Sequence, residues 1–369
     1  MGKHLVLIGG GHAHMLTLAK LKTFADRGHT VTVIGASPHH YYSGMGPGML
    51  GGTYTPDDIR FRTRHVVEKQ GGKFILGEAV QVDPEGRTVR LKTGDTLPYD
   101  VLSFNTGSYV PRTNVAGDDV NIFTVKPIEK LLEAQQQILA MLSRKNIAIG
   151  IVGGGPSAIE IAGNIRQLSK KTPYQPSITI YAGKQLMSQF PENLRHKVAA
   201  SLRQRGIHVD ESGYAQEIST EKITLESGRS YPSDMIFLAL GVKPSPIFKD
   251  SNLPTGPDGG LLVNQFLQSA QYPELFGGGD CIYFKDRPLN KVGVYAVRQN
   301  PVLLHNLMAA LEGSRLMPFN PGGDYLLIFN MGDGTGILQK RWLLFGGRLA
   351  FFIKDRIDRK FMRKFQSIE

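Results

Sequence analysis

The sequence predicts an α/β fold carrying two Rossmann-like nucleotide-binding lobes, and three observations point to it. An apolar strand running into a glycine turn occurs twice, at residues 5–11 and 149–155. Each copy leads into a helical apolar pattern and then a second apolar strand. Between and after the copies, short segments alternate apolar and polar residues and are broken by turn sequences. Two independent strand–turn–helix–strand starts in one chain argue for two lobes.

Taken in order, residues 5–8 are continuously apolar, as in a parallel strand covered on both faces. Met15, Leu18, Ala19 and Leu21 supply a helical face, and residues 31–34 the next strand. Residues 73–108 read as an antiparallel meander, punctuated at 83–86 and 93–95. The second copy spans 146–168 and continues into a strand at 177–182. Another meander is expected over 223–241, then a loop-rich stretch, the segment ELFGGGDCI at 274–282 and a helix over 296–313. The tail from 324 reads as strand followed by a basic helix.

A chain of 369 residues accommodates two or three domains, and 41% hydrophobic with 20% charged residues excludes disorder. The net charge of +11 implies an anionic partner: nucleic acid, a membrane surface or cofactor phosphates. The single cysteine, Cys281, excludes an intrachain disulfide, a four-thiolate zinc site and a redox dithiol. A strand beginning by residue 4 leaves no room for a signal peptide, and no 18-residue apolar stretch exists. The expectation is a cytoplasmic protein, peripheral on the inner face of the membrane.

The first turn has Gly9 and Gly11, with His14 where a third glycine normally allows close helix–strand packing. Such turns bring backbone N–H groups to a pyrophosphate at a helix N-terminus. The acid that would hold a ribose hydroxyl is replaced by Gly35, with Ser37 offering a weaker hydrogen bond. The second turn, Gly153-x-Gly155-x-x-Ala158, is followed by Glu160. Its ribose acid is replaced by Ala182, and Lys184 is either a partner for a 2′-phosphate, favouring NADPH, or a solvated loop lysine. His39 and His40 are adjacent and His12 and His14 two apart, which is not helical ligand spacing, so no metal is assigned.

Two further segments, YDVLSFNTGS at 99–108 and ELFGGGDCI, complete an ordered set of four motifs. In order, spacing and type the set resembles the flavin-dependent pyridine nucleotide–disulfide reductase superfamily along nearly the whole chain. The resemblance implies two Rossmann-like FAD/NAD(P)-binding domains of the glutathione-reductase type, the second inserted in the first, plus a C-terminal strand and amphipathic helix segment. The implied limits are 1–112 with 256–323 for FAD, 113–255 for NAD(P)H and 324–369 for the tail. Implied cofactors are FAD and NADH or NADPH. Their implied ligands are Gly9, Gly11, His12, Ala13, Ser37, Tyr42, Ser43, Gly44, Val80, Thr106, Gly107, Gly153, Gly155, Pro156, Ser157, Gly279, Asp280, Gly293, Val294 and Tyr295. Glu160 is implied beside the nicotinamide near the flavin. Lys291 is either a cation stabilising the reduced flavin or a surface lysine before a helix.

With one cysteine, the disulfide reductases and sulfide:quinone oxidoreductases are excluded as functional relatives. Type II NADH dehydrogenases, apoptosis-inducing-factor-like oxidoreductases and the oxidoreductase domain associated with selenide, water dikinase remain. Segments GGGHAHMLTL, YYSGMGPGML and KVGVYAVRQNPVLLHNL are most similar to the last of these. The acceptor expected is a quinone. Alternatives are a soluble acceptor (oxygen, an electron carrier or a selenium compound) and a flavin-binding redox sensor.

In the tail, Leu349, Ile353, Ile357, Phe361 and Phe365 recur every four residues with Phe352 beside them, one apolar helical stripe. Residues 347–369 hold seven basic residues against three acidic. This pattern suits a membrane interface, the attachment the type II resemblance also implies. Packing on the flavin domain or on a second subunit, as a homodimer, is the alternative. No nucleic-acid module is recognisable.

Overall fold

The computed structural model describes residues 2–116 and 120–369. Two five-stranded parallel sheets organise it. The first runs, edge to edge, Leu275–Gly277, Val101–Phe104, His4–Ile8, Thr30–Gly35 and Lys73–Leu76. The second runs Ile122–Thr124, Met235–Leu238, Ala148–Val152, Ser177–Tyr181 and Ile207–Asp210. In each, the strand feeding the glycine turn is central, so both turns open at a carboxyl edge where ligands of open α/β sheets bind. The first sheet receives its last strand only after the second is complete, so the second domain is inserted in the first.

The two crossings between the domains meet as a short antiparallel pair, Ser108–Tyr109 with Lys243–Pro244. Just after the return, Ile247, Phe248 and Leu253 already belong to the first domain's core with Phe104 and Phe276. Met235–Leu238, expected within a meander, is instead a parallel strand with all four residues buried. Its apolar run MIFL has no polar face to turn to water, which is what a centrally placed parallel strand requires. The meander proper is 215–232.

The tail forms a three-stranded antiparallel sheet, Leu327–Asn330, Gly336–Lys340 and Leu343–Gly347, and then the helix Arg348–Gln366. It is no appendage. Phe329, Met331, Ile337, Met362 and Phe365 share one buried cluster with Ile149, Ile151 and Phe237 of the second domain.

The helix packs with a face the apolar stripe does not describe. Ala350, Lys354, Asp358, Met362 and Phe365 are buried. Phe361 and Phe365 turn inward, whereas Leu349, Phe352 and Ile357 stay 62%, 59% and 48% exposed. Polar partners on the body set this rotation: Tyr42 and Tyr54 donate to Asp358 and Asp355, each at 2.9 Å.

Candidate active site

The first turn admits only glycine at its two key positions. Gly9 has φ +88°, and a Cβ there would lie 2.3 Å from the Asn105 carbonyl oxygen. A Cβ on Gly11 would lie 2.4 Å from Asn105 Oδ1. Asn105 is the clamp: its Oδ1 accepts from Ala13 N–H at 3.1 Å and its amide donates to the Gly278 carbonyl at 2.7 Å. Asn300 accepts from Leu16 N–H at 2.8 Å and donates to the His12 carbonyl, while Gln299 accepts from Gly279 N–H at 2.7 Å. Three buried amides thus lock the turn, the Thr106-Gly107 segment and the Gly279-Asp280 segment together. None was among the expected site residues. Each sits beside a recognisable motif, but a lone amide has no spacing signature.

His14 does not push the helix away as a bulky third position would suggest. Its ring is fully buried, with one nitrogen 2.7 Å from the Gly9 carbonyl and the other 2.8 Å from Ser103 Oγ. Burial lowers its pKa to about 4, so the ring is neutral and stitches helix to strands.

Asp280 faces the crossings, its Oδ2 accepting from Ser108 Oγ at 2.7 Å and from Lys126 at 2.8 Å. Lys291 lines a recess with Gly279, Asp280 and Tyr295, but its ammonium pairs with Asp258 at 2.7 Å and donates to the Ile282 carbonyl. Cys281 is fully buried, its thiol hydrogen-bonded to carbonyls and pushed up by burial, the opposite of a nucleophile's environment. Gly293, Val294 and Tyr295 open the long helix Gly293–Glu312, with Tyr295 edge-on to Tyr325. Ser37 accepts from His39 N–H at 3.2 Å and so folds its own loop, and Val80 lies in the strand Ala79–Asp83, outside the hydrogen-bonded group.

A second group joins three distant segments. Tyr42 precedes the turn Ser43–Met45, and a Cβ on Gly44 would meet the Tyr42 ring at 2.9 Å. The Gly44 carbonyl accepts from Lys354 at 2.7 Å, and Lys354 pairs with Asp358 at 2.6 Å in a buried contact. Burial opposes the Lys354 charge, but Asp358 and then Glu160 outweigh it and raise its pKa. His12 lies against the same wall. Its ring stacks on Phe361 at 5.5 Å, approaches Tyr42 at 5.1 Å and contacts His40 through nitrogens 3.2 Å apart. Burial lowers the His12 pKa to about 4, and its Nε2 is buried with no protein partner.

The second turn repeats the first in outline. Gly153 has φ +128° and would place a Cβ 2.2 Å from the Ala239 carbonyl oxygen. Gly155, by contrast, faces open space, and Pro156 opens the helix Pro156–Ser169 with Ser157 exposed. That helix carries Glu160 inward. Gly163 explains how: a Cβ there would lie 2.3 Å from the Met331 carbonyl oxygen, so only glycine lets the tail approach. Asn330 N–H then donates to Glu160 at 2.7 Å. Burial raises the Glu160 pKa to about 7, with Lys354 and the Asn330 hydrogen bond pulling the other way. Lys184 is exposed in the loop after Gly183.

This doubled frame of glycine turns on inserted parallel sheets matches a known family: residues 3–306 fit pyridine nucleotide-disulphide oxidoreductases. The chain belongs to that family. A type II NADH:quinone oxidoreductase from Staphylococcus aureus is 23% identical over 399 residues, covering 99% of this chain and 96% of that protein. The sulfide:quinone oxidoreductase structure from Aquifex aeolicus superposes with a TM-score of 0.79 at 18% identity, covering 100% of this chain and 92% of that one. NDH2 from Plasmodium falciparum in complex with NADH gives 0.78 at 14%, covering 99% and 100%.

The protein is an oxidoreductase of the flavin- and pyridine-nucleotide-dependent kind. Its residues fit FAD. The first turn leaves no room for side chains beside the backbone, and the orphaned His12 Nε2 is a buried polar atom that a ligand would satisfy. The open Gly155 and exposed Ser157 fit a nicotinamide dinucleotide that exchanges with solvent.

Proposed function

We propose that the chain takes hydride from NAD(P)H onto FAD and passes the electrons to a quinone, with no protein thiol between. Bound FAD supplies the hydride-accepting and electron-releasing chemistry. The observation that carries the reading is Glu160, turned inward on the second domain's helix, accepting from Asn330 N–H of the tail and in the field of Lys354, with a pKa near neutrality. Quinone reduction consumes two protons per two electrons, and a carboxyl poised near pH 7 exchanges protons on demand. Lys354 holds a positive charge where negative charge collects, and the tail helix closes the wall against water. Lys291, already paired with Asp258, is given a binding role rather than a catalytic one.

The same helix supplies a membrane-facing surface. Among the described residues no helix is long and apolar enough to cross a bilayer. Leu349, Phe352 and Ile357 lie on one exposed face of the helix with Arg348 and Arg356 exposed beside them, and Trp342, in the hairpin turn before the last strand, is 88% exposed. Aromatic and aliphatic side chains rimmed by arginine suit an anionic lipid interface, on the inner face of the membrane. We also propose domain limits that follow the sheets, with the return to the FAD domain at the 243–244 crossing rather than at 256.

The test is anaerobic reduction of the holoenzyme with NADH and with NADPH, followed by a short-chain quinone and by sedimentation with anionic liposomes. The account expects bleaching, rapid reoxidation by quinone, and lipid binding lost in Phe352→Ser/Ile357→Ser. Reoxidation only by oxygen or a soluble carrier, with no lipid binding, favours the soluble-acceptor reading. A dimer broken by the same pair of substitutions assigns the surface to a second copy.

A further inference from the structure

Three groups from three parts of the chain meet at the hinge between the domains. Ser108 lies on the outgoing crossing, Asp280 follows the last strand of the first sheet, and Lys126 follows the first strand of the second. Lys126 Nζ is 2.8 Å from Asp280 Oδ2 and 2.9 Å from Ser108 Oγ, and Ser108 donates to the same carboxylate oxygen at 2.7 Å. The lysine and aspartate side chains retain 25% and 14% of their exposure, so water screens the pair weakly. The Lys126 carbonyl is itself pinned, accepting from Thr124 Oγ1 at 2.6 Å. Burial alone would raise the Asp280 pKa, yet Lys126, the largest of the opposing influences, together with Ser108 and Lys291 lowers it and keeps the carboxylate ionised. His12 lies in the field of both groups. Lys291, the other cation near Asp280, is compensated by Asp258.

We propose that Lys126 is a positioning residue for the flavin: it acts through Asp280, neutralising that carboxylate so that the bound cofactor can accumulate charge. A hydride carries two electrons and one proton from the nicotinamide to the flavin, so the bound cofactor gains one negative charge while the nicotinamide gains one positive. Without Lys126, that new charge faces a largely buried carboxylate that keeps the Ser108 hydrogen bond but has lost its ion-pair partner. The oxidised cofactor meets the same carboxylate without the added charge, so the reduced form is penalised more. Linkage turns this difference in affinity into a lower flavin potential. The inference rests on FAD binding at Asp280, which the absorption spectrum of the unmodified holoenzyme checks separately.

The experiment is a redox titration of holoenzyme carrying Lys126→Gln or Lys126→Arg. Glutamine keeps a neutral amide donor, one bond shorter, without the charge, and arginine keeps the charge. Lys126→Gln is expected to weaken binding of reduced FAD at least tenfold relative to oxidised FAD, equivalent to a fall of about 30 mV in the two-electron potential. Lys126→Arg is expected to recover most of it, and Lys291→Gln to produce a smaller shift. Where the glutamine variant loses FAD on purification, reconstitution with excess oxidised or reduced FAD measures the same ratio, and a fall in affinity confined to or larger for the reduced form supports the claim. Equal shifts in the two Lys126 variants, no shift in either, or FAD lost from both would overturn it.

Discussion

The two glycine turns share a backbone plan and differ in what encloses them. Gly9 donates to the Ile34 carbonyl and presses on Asn105; Gly153 donates to the Tyr181 carbonyl and presses on Ala239. Around the first, three buried amides, two buried neutral imidazoles and a helix from the far end of the chain close the site. Around the second, Gly155 and Ser157 face open space. Turns of one backbone plan therefore suit, under the proposed function, opposite demands: a cofactor that stays, and one that arrives and leaves. The difference is made by residues outside the motif.

The largest expected effect is on the turns themselves. Gly9→Ala puts a side chain at φ +88° against a carbonyl oxygen and costs about 1–3 kcal/mol in strain before the clash is counted. The variant should purify without flavin. Gly155→Ala, at φ −93° with nothing near its Cβ, should keep full flavin and change nicotinamide affinity by less than tenfold. Equal losses from both would erase the contrast between the sites.

Next comes the enclosing helix. Asp358→Ala leaves Lys354 buried without its partner and removes the acceptor of Tyr42, which should cost about 3–5 kcal/mol in thermal or denaturant unfolding. Replacing the exposed Phe352 by Ser should move stability by no more than about 0.5 kcal/mol. A small cost for Asp358→Ala would mean the helix is only loosely held.

The two sites should also respond to pH with opposite sign. His12 and His14 have pKa values lowered to about 4 from 6.5, so the unfolded chain binds more protons between these values. Their contribution is complete above pH 6.5 and is lost as pH falls toward 4. Glu160 is raised from 4.5 to about 7, so the folded chain binds more protons there. Its contribution is present at pH 4.5 and lost as pH rises through 7, by at most about 3 kcal/mol given partial exposure. Unfolding measured across this range should show Glu160→Gln flattening the loss toward pH 7 and His14→Asn flattening the loss toward pH 4. The smallest effect expected is on the pH profile of quinone reduction, which Glu160→Gln should flatten near pH 7 with hydride transfer from NAD(P)H changed less.

Much of this was legible in the sequence because it is local. Apolar runs such as 5–8 and 149–152 specify buried parallel strands, and Gly9 and Gly153 mark backbone that must turn with φ above zero. The chemistry of one cysteine is countable. What enclosed the sites was not legible. Asn105, Asn300, Lys126 and Lys354 act through partners up to some 300 residues away, and no spacing rule reports them. The tail shows the limit most clearly. Its apolar period specified a helix, but the rotation was decided by two tyrosines and a carbonyl oxygen on another element, so Lys354 and Asp358 went inside and Phe352 stayed out.

The central claim is that electrons enter a retained flavin from an exchanging nicotinamide and leave it without help from a thiol. Anaerobic single-turnover reduction and quinone reoxidation of holoenzyme, unmodified and Cys281→Ser, tests it most directly. The account predicts that the flavin bleaches with one equivalent of NADH or NADPH, stays bound through buffer exchange, and reoxidises at the same rate in both proteins. Failure of both nicotinamides to bleach it, or reoxidation that depends on Cys281, would contradict the account.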